Sequence, residues 1–295
     1  MGNKVTVKDV AREAGVSVAT VSYIMNNRTD VKISDATRKK VLQIANLLNY
    51  QPSSAAKTLA TGKNNIVGIT YRFIKETPSR NMELSFYVNM LIEQLNRMGY
   101  DVIFIPVDHV SENSALKQNI DGIIAIDLSN EDFRNFSDNY MVPIITVDMI
   151  VNDNLFYQVY SNIPKAVNTA MKRDSDYILV MEKYANEAYM DYITHDVDKS
   201  KLYIIENADA DTIASLQGKK AIVIGTYLAL LLRPYVQETD MKVISSNAFS
   251  HMLSDNISHM ENDASKKANL AINLLLNAID RKFTVNHKYE VDIEE

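Results

Sequence analysis

The chain contains no cysteine, which excludes both a disulfide framework and a zinc site built on cysteine thiolates. No stretch approaches the about 20 consecutive apolar residues that a membrane-spanning helix needs. The N-terminal segment MGNKVTVKDV also lacks the apolar run of a secretory signal peptide. We therefore expect a cytoplasmic protein with no membrane partner, and the absence of cysteine fits that reducing compartment.

Residues typical of enzyme sites are scarce in this sequence. None of its eight glycines forms a G-x-G-x-x-G segment or a phosphate-binding loop. No pair among the five histidines has the helical spacing of metal ligands, and no G-x-S-x-G nucleophile elbow occurs. The sequence thus predicts no catalytic residue, no cofactor and no metal site.

Charge is distributed unevenly along the chain. Residues 1–63 contain ten Lys and Arg against four Asp and Glu, a net charge of +6. The remaining residues contain 21 Lys and Arg against 33 Asp and Glu, a net charge of −12. A basic head on an acidic body indicates that the head meets a polyanion; on composition alone, a solvated basic surface is the alternative.

Two short helices joined by a tight turn are predicted near the N-terminus. Thr6 and Ser17 each stand at the start of an apolar series with helical spacing, as N-caps do, and Gly15 closes the first helix. The apolar positions are Val7, Val10, Ala11 and Ala14 in the first helix, and Val21, Ile24 and Met25 in the second. The short connection holds the two helices at a steep angle, which is the helix-turn-helix arrangement.

A third helix is predicted after Ser34, with Arg38, Lys39 and Lys40 opposite its apolar face. The residues of that face are Val41, Ile44, Ala45 and Leu48. Three small helices around one core make an all-α unit of residues 1–50, which we interpret as a helix-turn-helix DNA-binding domain. A small helical bundle without a partner is the alternative, but it does not explain why helix pair, short turn and positive charge coincide.

The second helix of such a domain lies in the major groove and contacts base edges with its N-terminal residues. The residues predicted to face the groove are Ser17, Val18, Ala19, Thr20, Ser22 and Tyr23. The hydroxyls suit phosphate contacts, whereas Val18 and Ala19 offer only apolar contacts, best suited to thymine methyls. Tyr23 adds one hydrogen bond and a flat face.

Residues 51–64 form a predicted hinge, because Pro52 ends the third helix at or before Gln51. The segment SSAAKTLA reads as a weak helix that is too short to be stable alone in water. Leu59 is its one large apolar residue. We predict that this segment folds on DNA and pushes Leu59 into the minor groove; a flexible linker with a solitary leucine is the alternative.

Residues 5–68 resemble the lactose-repressor (LacI/GalR) family of bacterial transcription regulators. The resemblance is carried by VTVKDVAREAGVSVATVS, DATRKKVLQIANLLNYQP and AAKTLATGKNNIVGI. It implies a homodimer on a pseudo-palindromic operator in double-stranded DNA. The positions it assigns to the DNA backbone or the minor groove are Thr6, Asn26, Ala56 and Leu59. Tyr23 stands where the family most often has an arginine that could pair with guanine, so we expect an unusual operator half-site.

From residue 65 the chain alternates apolar runs with amphipathic stretches, which is the pattern of parallel sheets covered by helices. The predicted strands are IVGITYRF, YDVIFIPVD, DGIIAIDLS, VPIITVDMI, YILVM, KLYIIEN, KAIVIGT and MKVISSN. The end of the chain, HKYEVDIEE, looks like a last strand followed by a short acidic tail. Residues 152–166 interrupt this rhythm and suggest a crossover between two lobes. By resemblance, residues 65–295 form the α/β, two-lobed, periplasmic-binding-protein-like body of the family.

The resemblance also implies a cleft between the lobes in which relatives bind a small effector, often a sugar or purine. Three family signatures are missing: EKYANEAYMDYI contains no Arg, Thr226-Tyr227 replaces Asn-Asp, and ISSNA replaces a Gly-Phe-Asp-Asp segment. Their loss counts against a sugar, whose hydroxyl pairs are held by charged bidentate groups. Residues that could still line a cleft are Tyr71, Arg72, Phe73, Asp148, Asn162, Thr226, Tyr227 and Asn247. The sequence leaves open whether any effector binds.

We therefore predict a sequence-specific DNA-binding transcription regulator, in the simplest case a repressor. No leucine heptad follows the body to build a tetramer, so a homodimer is expected. The alternative is a cytoplasmic ligand-binding protein of the periplasmic-binding-protein type that acts mainly as a small-molecule sensor. The basic head argues against that alternative.

Overall fold

The structure is a computed structural model. It describes residues 5–26, 28, 31–50, 62–107 and 119–294. The chain divides into two compact units, residues 1–64 and residues 65–295, which we call the head and the body. Ala56 and Leu59 of the predicted hinge lie outside the described residues. Within the described ranges, no helix is both long and apolar enough to cross a membrane.

The described part of the head contains the helices α1 (Val7–Ala14), α2 (Val18–Met25) and α3 (Asp35–Leu47). The Asp9 carboxylate accepts hydrogen bonds from the Thr6 backbone N–H at 2.9 Å and from its hydroxyl at 2.7 Å, which fixes the first turn of α1. Gly15 ends α1 in the left-handed region, with φ of 68°, where a side chain would be strained. Ser17 then starts α2 by accepting a hydrogen bond from the Thr20 N–H at 3.1 Å.

The three helices share one small apolar core. Its buried residues are Val10, Ala11, Ala14, Val21, Ile24, Val41 and Ala45. They recur three or four residues apart in each helix and so fall on one face. The other apolar positions predicted for these helices pack against this core, so the sequence pattern and the packing agree.

The body contains two sheets in which every neighbouring pair of strands is parallel. The strands of the first sheet are β1 (Ile66–Thr70), β2 (Asp101–Phe104), β3 (Gly122–Ile126), β4 (Ile144–Val147), β5 (Tyr157–Ser161) and β11 (Lys288–Val291). Their order is β11-β5-β4-β3-β1-β2. The strands of the second sheet are β6 (Tyr177–Glu182), β7 (Leu202–Ile205), β8 (Lys220–Ile224), β9 (Met241–Ser246) and β10 (Ser258–Asn262). Their order is β10-β9-β8-β6-β7.

Helices cover both sheets. The helices of the body are α4 (Pro78–Arg97), α5 (Asn130–Ser137), α6 (Ile163–Arg173), α7 (Glu187–Thr194), α8 (Ala210–Ala214), α9 (Thr226–Leu232) and α10 (Ala264–Ile279). We call the part around the first sheet lobe 1 (residues 65–161 and 263–292) and the part around the second sheet lobe 2 (residues 162–262). Three short 3-10 turns, Lys199–Lys201, Glu238–Asp240 and Ser250–Met252, lie in lobe 2.

Strand β3 shows why the body strands are continuous apolar runs. Ile124 and Ile126 pack in a cluster with α4 and α10, whereas Ile123 and Ala125 pack in a second cluster with α5 on the opposite face. Both faces of the strand are therefore buried, as in other parallel sheets. The core of lobe 2 is built in the same way, with α8 and α9 on one face and α6 and α7 on the other.

The structure differs from the sequence-based expectation at three elements. Strand β5 lies inside the stretch predicted as an interruption, and β10 was not predicted. The sequence pattern predicts a helix over Glu83–Met98, but helix α4 begins five residues earlier, at Pro78, where the missing N–H of proline costs nothing. Strand β5 has a polar residue, Gln158, that is fully buried, and its amide bonds the N–H and carbonyl of Val151, both at 3.0 Å. This strand thus combines buried aromatic and apolar residues with a buried amide whose hydrogen bonds are satisfied within the fold.

Candidate nucleic-acid interface and effector cleft

The start of α2 presents small and apolar side chains to solvent. Ser17, Val18 and Ala19 are exposed, Val18 to 41% of its surface. They stay exposed because the buried residues of this helix, Val21 and Ile24, lie on another face. The predicted reading face is therefore an open surface on which Val18 and Ala19 offer apolar groups only.

Tyr23 brings an aromatic side chain to the same face and is 37% exposed. Just beyond α2, the Arg28 backbone N–H donates to the Tyr23 carbonyl at 2.9 Å, and the Arg28 guanidinium lies 5.8 Å from the centre of the tyrosine ring. The Arg38 side chain donates to the Arg28 carbonyl at 3.3 Å and ties this turn to α3. At exposed sites a cation near a ring contributes about 0.5–1 kcal/mol. Tyr23 is thus presented with a positive charge beside it.

The polar residues predicted to contact phosphates also bond within the head. The hydroxyls of Ser17 and Thr20 are 2.8 Å apart, and the Asn26 amide donates to the Ser22 carbonyl at 2.9 Å. The Thr6 hydroxyl donates to the carboxylate that caps α1, so a phosphate contact through Thr6 requires that hydroxyl to turn. The bonds of Thr6, Ser17 and Thr20 lie at the starts of α1 and α2, where free N–H groups attract phosphates, whereas the Asn26 bond lies at the end of α2.

The residues predicted to line an effector cleft do not form one site. Tyr71 packs in an aromatic cluster, with its ring centre 5.3 Å from that of Phe73 and 5.0 Å from that of Phe104. Arg72 lies beside them but donates to Asp132 at 3.3 Å. This group lies at the carboxyl ends of β1 and β2.

The other predicted cleft residues have separate partners. The Tyr227 ring packs 5.1 Å from that of Phe249, and the Asn247 amide donates to Asp263 at 3.1 Å. Asn162 lies where the chain passes from lobe 1 to lobe 2, and its side chain accepts a hydrogen bond from the N–H of Lys165 at 3.3 Å. These residues therefore stabilise the fold in the structure, and their predicted effector contacts remain predictions.

A cavity of about 60 Å³ remains between the lobes. Its polar lining residues are Arg80, Glu83, Tyr87, Asp148, Tyr184, Ser246, Asn262 and Lys267. Of the eight predicted cleft residues, all of which the structure describes, Asp148 lines it. This volume is far below the about 300–1,000 Å³ of typical small-molecule pockets. The Tyr87 hydroxyl is buried without a protein hydrogen-bond partner.

Arg80 stands in the middle of the closed cleft. Its guanidinium lies 2.5 Å from the Asp127 carboxylate and 3.3 Å from the centre of the Tyr184 ring. The Glu182 carboxylate accepts hydrogen bonds from the backbone N–H groups of Ser79 at 3.2 Å and of Arg80 at 2.7 Å. Arg80 belongs to lobe 1, whereas Tyr184 and Glu182 belong to lobe 2, so these contacts join the lobes.

A second buried cation lies within lobe 1. The Lys267 ammonium is 2.8 Å from each carboxylate oxygen of Asp148 and 3.3 Å from the Ser161 hydroxyl. Lys267 is almost fully buried and needs this partner, because a buried unpaired charge is strongly unfavourable. Over the described ranges, no group of three or more acidic or histidine side chains could hold a metal ion.

Burial raises the pKa of the Glu83, Asp127 and Glu182 carboxyls above the ordinary range, because the charged form loses its hydration. The Thr226 N–H opposes the shift for Glu83, and Arg80 opposes it for all three. The closed cleft therefore binds protons on these groups more tightly than water-exposed carboxylates do.

Sequence reasoning missed the charged residues in and around the closed cleft, among them Arg80, Glu83, Glu182 and Lys267. One signal was available, because Lys267 lies at helical spacing within the buried apolar stripe of α10. The other three residues carry no local signal. Charged side chains in the first turns of a helix, such as Arg80 and Glu83, usually face water, and so do charged side chains at the end of a strand, such as Glu182. Only the approach of the two lobes distinguishes them.

One known protein family matches the head. Residues 6–53 match the family model described as bacterial regulatory proteins, lacI family. That range contains the whole described helix-turn-helix and every residue predicted to read bases from α2.

Curated relatives match parts of the chain. It is 29% identical over 163 residues to the probable HTH-type transcriptional repressor ExuR of Bacillus subtilis (strain 168), which is 54% of this chain and 47% of the relative. It is 37% identical over 129 residues to catabolite control protein A of Priestia megaterium, which is 41% of this chain and 36% of the relative. The chain thus spans about half the length, or less, of these curated relatives.

Solved structures match over a much longer range. The Lac repressor bound to ONPG in its repressed state is similar with a TM-score of 0.67 and 17% identity, over 99% of this chain and 98% of that one. The transcription regulator CcpA of Lactococcus lactis has a TM-score of 0.58 and 15% identity, over 78% of this chain and 96% of that one. At such identities the similarity shows the fold, and it confirms the predicted helix-turn-helix head and two-lobed parallel-sheet body.

Proposed function

Because residues 6–53 match the lacI family of bacterial regulatory proteins, we propose that this chain is a member of that family and a sequence-specific DNA-binding transcription regulator. The observation that carries the proposal is the exposed start of α2, on a head with a net charge of +6 and within the residues that match the family. One of the similar curated proteins is named a probable transcriptional repressor, which supports repression as the sign of regulation. We also propose that the protein is cytoplasmic and is not an enzyme.

In this proposal α2 enters the major groove with its N-terminal end. Val18 and Ala19 contact thymine methyl groups, and Tyr23 donates or accepts one hydrogen bond at a base edge. Ser17 and Thr20 lie at the start of α2, and there they and the free N–H groups bind phosphate. Specificity then depends on methyl contacts and DNA deformability more than on arginine–guanine pairs.

The hinge supplies the second contact with DNA. Leu59 and Ala56 are proposed to enter the minor groove, where an apolar wedge partly unstacks a base step and kinks the duplex. Leu59→Ala should then weaken operator binding much more than binding to unrelated DNA. Leu47→Ala is the matched control, because Leu47 is an exposed leucine of the head outside the proposed contact. Equal losses on both kinds of DNA would show that Leu59 is not a wedge.

A homodimer places two heads on the two half-sites of a pseudo-palindromic operator. The proposed contact surface in lobe 1 is the edge strand β2, where Phe104 is 54% exposed beside Phe73. An exposed edge with aromatic side chains suits pairing with a second copy. Phe104→Glu should shift the protein towards monomers in analytical ultracentrifugation, whereas Met141→Glu, at a fully exposed position, should not.

The proposal is tested by selecting binding sites from random DNA and then titrating the selected site with salt. We expect a palindromic consensus, and an affinity whose logarithm falls linearly with the logarithm of salt concentration as counterions are released. Selection without any palindrome, or binding that ignores salt, would contradict it.

A small-molecule effector of unidentified class is a further proposed partner, through which binding to the operator would be released. The alternative function, a ligand-binding protein that acts mainly as a sensor, has less support. The cavity of about 60 Å³ between the lobes is too small for a sugar or purine in this state.

A further inference from the structure

Carboxylates of each lobe accept hydrogen bonds from backbone N–H groups of the other lobe. Glu182 of lobe 2 binds the N–H groups of Ser79 and Arg80 at the start of α4, at 3.2 and 2.7 Å. Glu83, one turn further along α4 in lobe 1, binds the N–H of Thr226 at the start of α9 in lobe 2, at 2.7 Å. Each lobe thus supplies one glutamate that binds the backbone of the other lobe across the same cleft.

Two further carboxylates repeat this arrangement. Asp127 of lobe 1 accepts hydrogen bonds from the N–H groups of Ala185 at 2.9 Å and Asn186 at 3.1 Å, just before α7. Glu187 of lobe 2 accepts one from the N–H of Asn130, the first residue of α5 in lobe 1, at 2.9 Å. Backbone N–H groups at a helix start lack partners within the helix and favour negative charge, so each contact satisfies both groups.

Side chains fill the space between these contacts. The Arg80 guanidinium bonds Asp127 and stacks over the Tyr184 ring of the opposite lobe. The buried Asn186 amide accepts a hydrogen bond from the Ile150 N–H at 3.0 Å and donates to the Leu128 carbonyl at 3.2 Å. These polar groups face each other rather than an open cleft.

Apolar and backbone contacts close the cleft at two further places. The Phe86 ring of lobe 1 packs 4.8 Å from the Phe249 ring of lobe 2. The backbone N–H of Asn207 in lobe 2 donates to the Glu76 carbonyl in lobe 1 at 2.8 Å. A ligand therefore cannot enter the cavity between the lobes without breaking contacts of several kinds.

We propose that Glu83, Asp127, Glu182 and Glu187 hold the lobes closed in the place of a ligand, so that the closed body is the resting state of this chain. Two consequences follow. Operator binding needs no co-effector in this cleft, and any small molecule that acts there has to open the lobes first. The consequence for the operator rests on the proposed function, whereas the closure itself is a property of the body alone.

The closure is tested on the full chain by hydrogen exchange with mass spectrometry. Glu182→Ala and Glu83→Ala should each speed amide exchange in residues 78–84 and 225–229 by about tenfold or more, because the N–H groups lose their acceptors and the lobes separate. Glu83→Gln keeps an acceptor oxygen and should stay close to the native rate. Unchanged exchange in both alanine variants overturns the proposal.

Two more variants separate closure from ordinary helix capping. Asp209→Ala removes a carboxylate that accepts the Thr212 N–H at 3.1 Å within lobe 2, so exchange should rise only around α8. Glu187→Ala changes an exposed side chain and tests closure without risk to the core; it should speed exchange at residues 130–133. Faster exchange across the cleft in Asp209→Ala, or none in Glu187→Ala, counts against the proposal.

The co-effector consequence is tested by operator titration of dialysed protein with millimolar glucose, glucose 6-phosphate, adenosine or glutamate. We expect tight binding without additives and no compound that strengthens it by more than about twofold. Strengthening by about tenfold would overturn this consequence. If neither the dialysed protein nor any of the mixtures prefers a DNA site, the proposed function is contradicted. The hydrogen-exchange data would still test whether the lobes are held closed.

Discussion

The head and the body place their chemistry in different ways. In the head, the residues proposed to contact DNA from α2 and its caps lie within residues 6–26 and face solvent. In the body, the groups that meet in the cleft come from distant parts of the chain, as with Glu83 and Thr226, which are 143 residues apart. Chemistry on one exposed helix can be read from the sequence, whereas chemistry between lobes requires the fold.

The two regions also differ in charge, and the difference separates their roles. The head carries a net charge of +6 and the body −12. An acidic body repels DNA phosphates, so we expect the proposed DNA contact to be confined to the basic head and its linker. In the body, charged residues instead form buried ion pairs and contacts between its two lobes.

The largest expected effect tests whether head and body are independent. Val21 is fully buried in the small core of the head, so Val21→Asp buries an unpaired carboxylate and should unfold the head. Operator binding in a gel-shift assay should disappear, while the melting transition of the body stays unchanged in calorimetry. Leu47→Asp, at an exposed position of α3, is the folding control. A shifted body transition would show that the two regions fold as one unit.

The next effect concerns the buried charges of the body. Lys267→Met leaves Asp148 buried without its cation, which should lower the free energy of unfolding by about 3–5 kcal/mol in urea denaturation. Lys220→Met breaks an ion pair with Asp174 that is 2.8 Å long but largely solvated, and should change stability little. Similar losses for both lysines would mean that burial does not set the strength of these pairs.

A smaller effect tests whether position 23 of the head contacts bases, as proposed. Tyr23→Arg introduces a side chain that can bond guanine in bidentate fashion, which is worth about 1–3 kcal/mol of discrimination between bases. Site selection with this variant should yield a half-site with a new guanine. Tyr235→Arg is a matched control, because that tyrosine is also 37% exposed but lies in the body. An unchanged half-site with Tyr23→Arg would show that position 23 does not read bases.

The smallest expected effect is pH-dependent and confined to the head. Hydrogen bonds from Thr6, together with the charge of Arg12, hold the pKa of the Asp9 carboxyl below its usual 3.8. A pKa lowered by folding means that this contribution to stability is present above the usual value and is lost as pH falls through the lowered one. Asp9→Asn should therefore melt slightly lower than the native head at neutral pH and match it once the pH has fallen below the lowered pKa. A constant difference across this range would contradict that account.

Much of the head was predictable because its rules are local. Thr6, Gly15 and Ser17 mark helix starts and ends through bonds that span three or four residues, and the apolar spacing defines the core. In the body, the apolar runs predicted eight strands correctly, since both faces of a parallel strand are buried. Strands β5 and β10 were missed, because their sequences YQVYS and SHMEN lack an apolar run and depend on neighbours for burial.

The sequence alone determined the helix-turn-helix, the alternating βα body and the separation of positive from negative charge, and it predicted the exposed start of α2. These properties follow from spacing, capping and composition, which act over a few residues. The tertiary structure decided that the cleft is closed and that Arg80, Glu83 and Glu182 close it. The strength of a charged contact depends on distance and on exclusion of water, and both are set only when the two lobes meet.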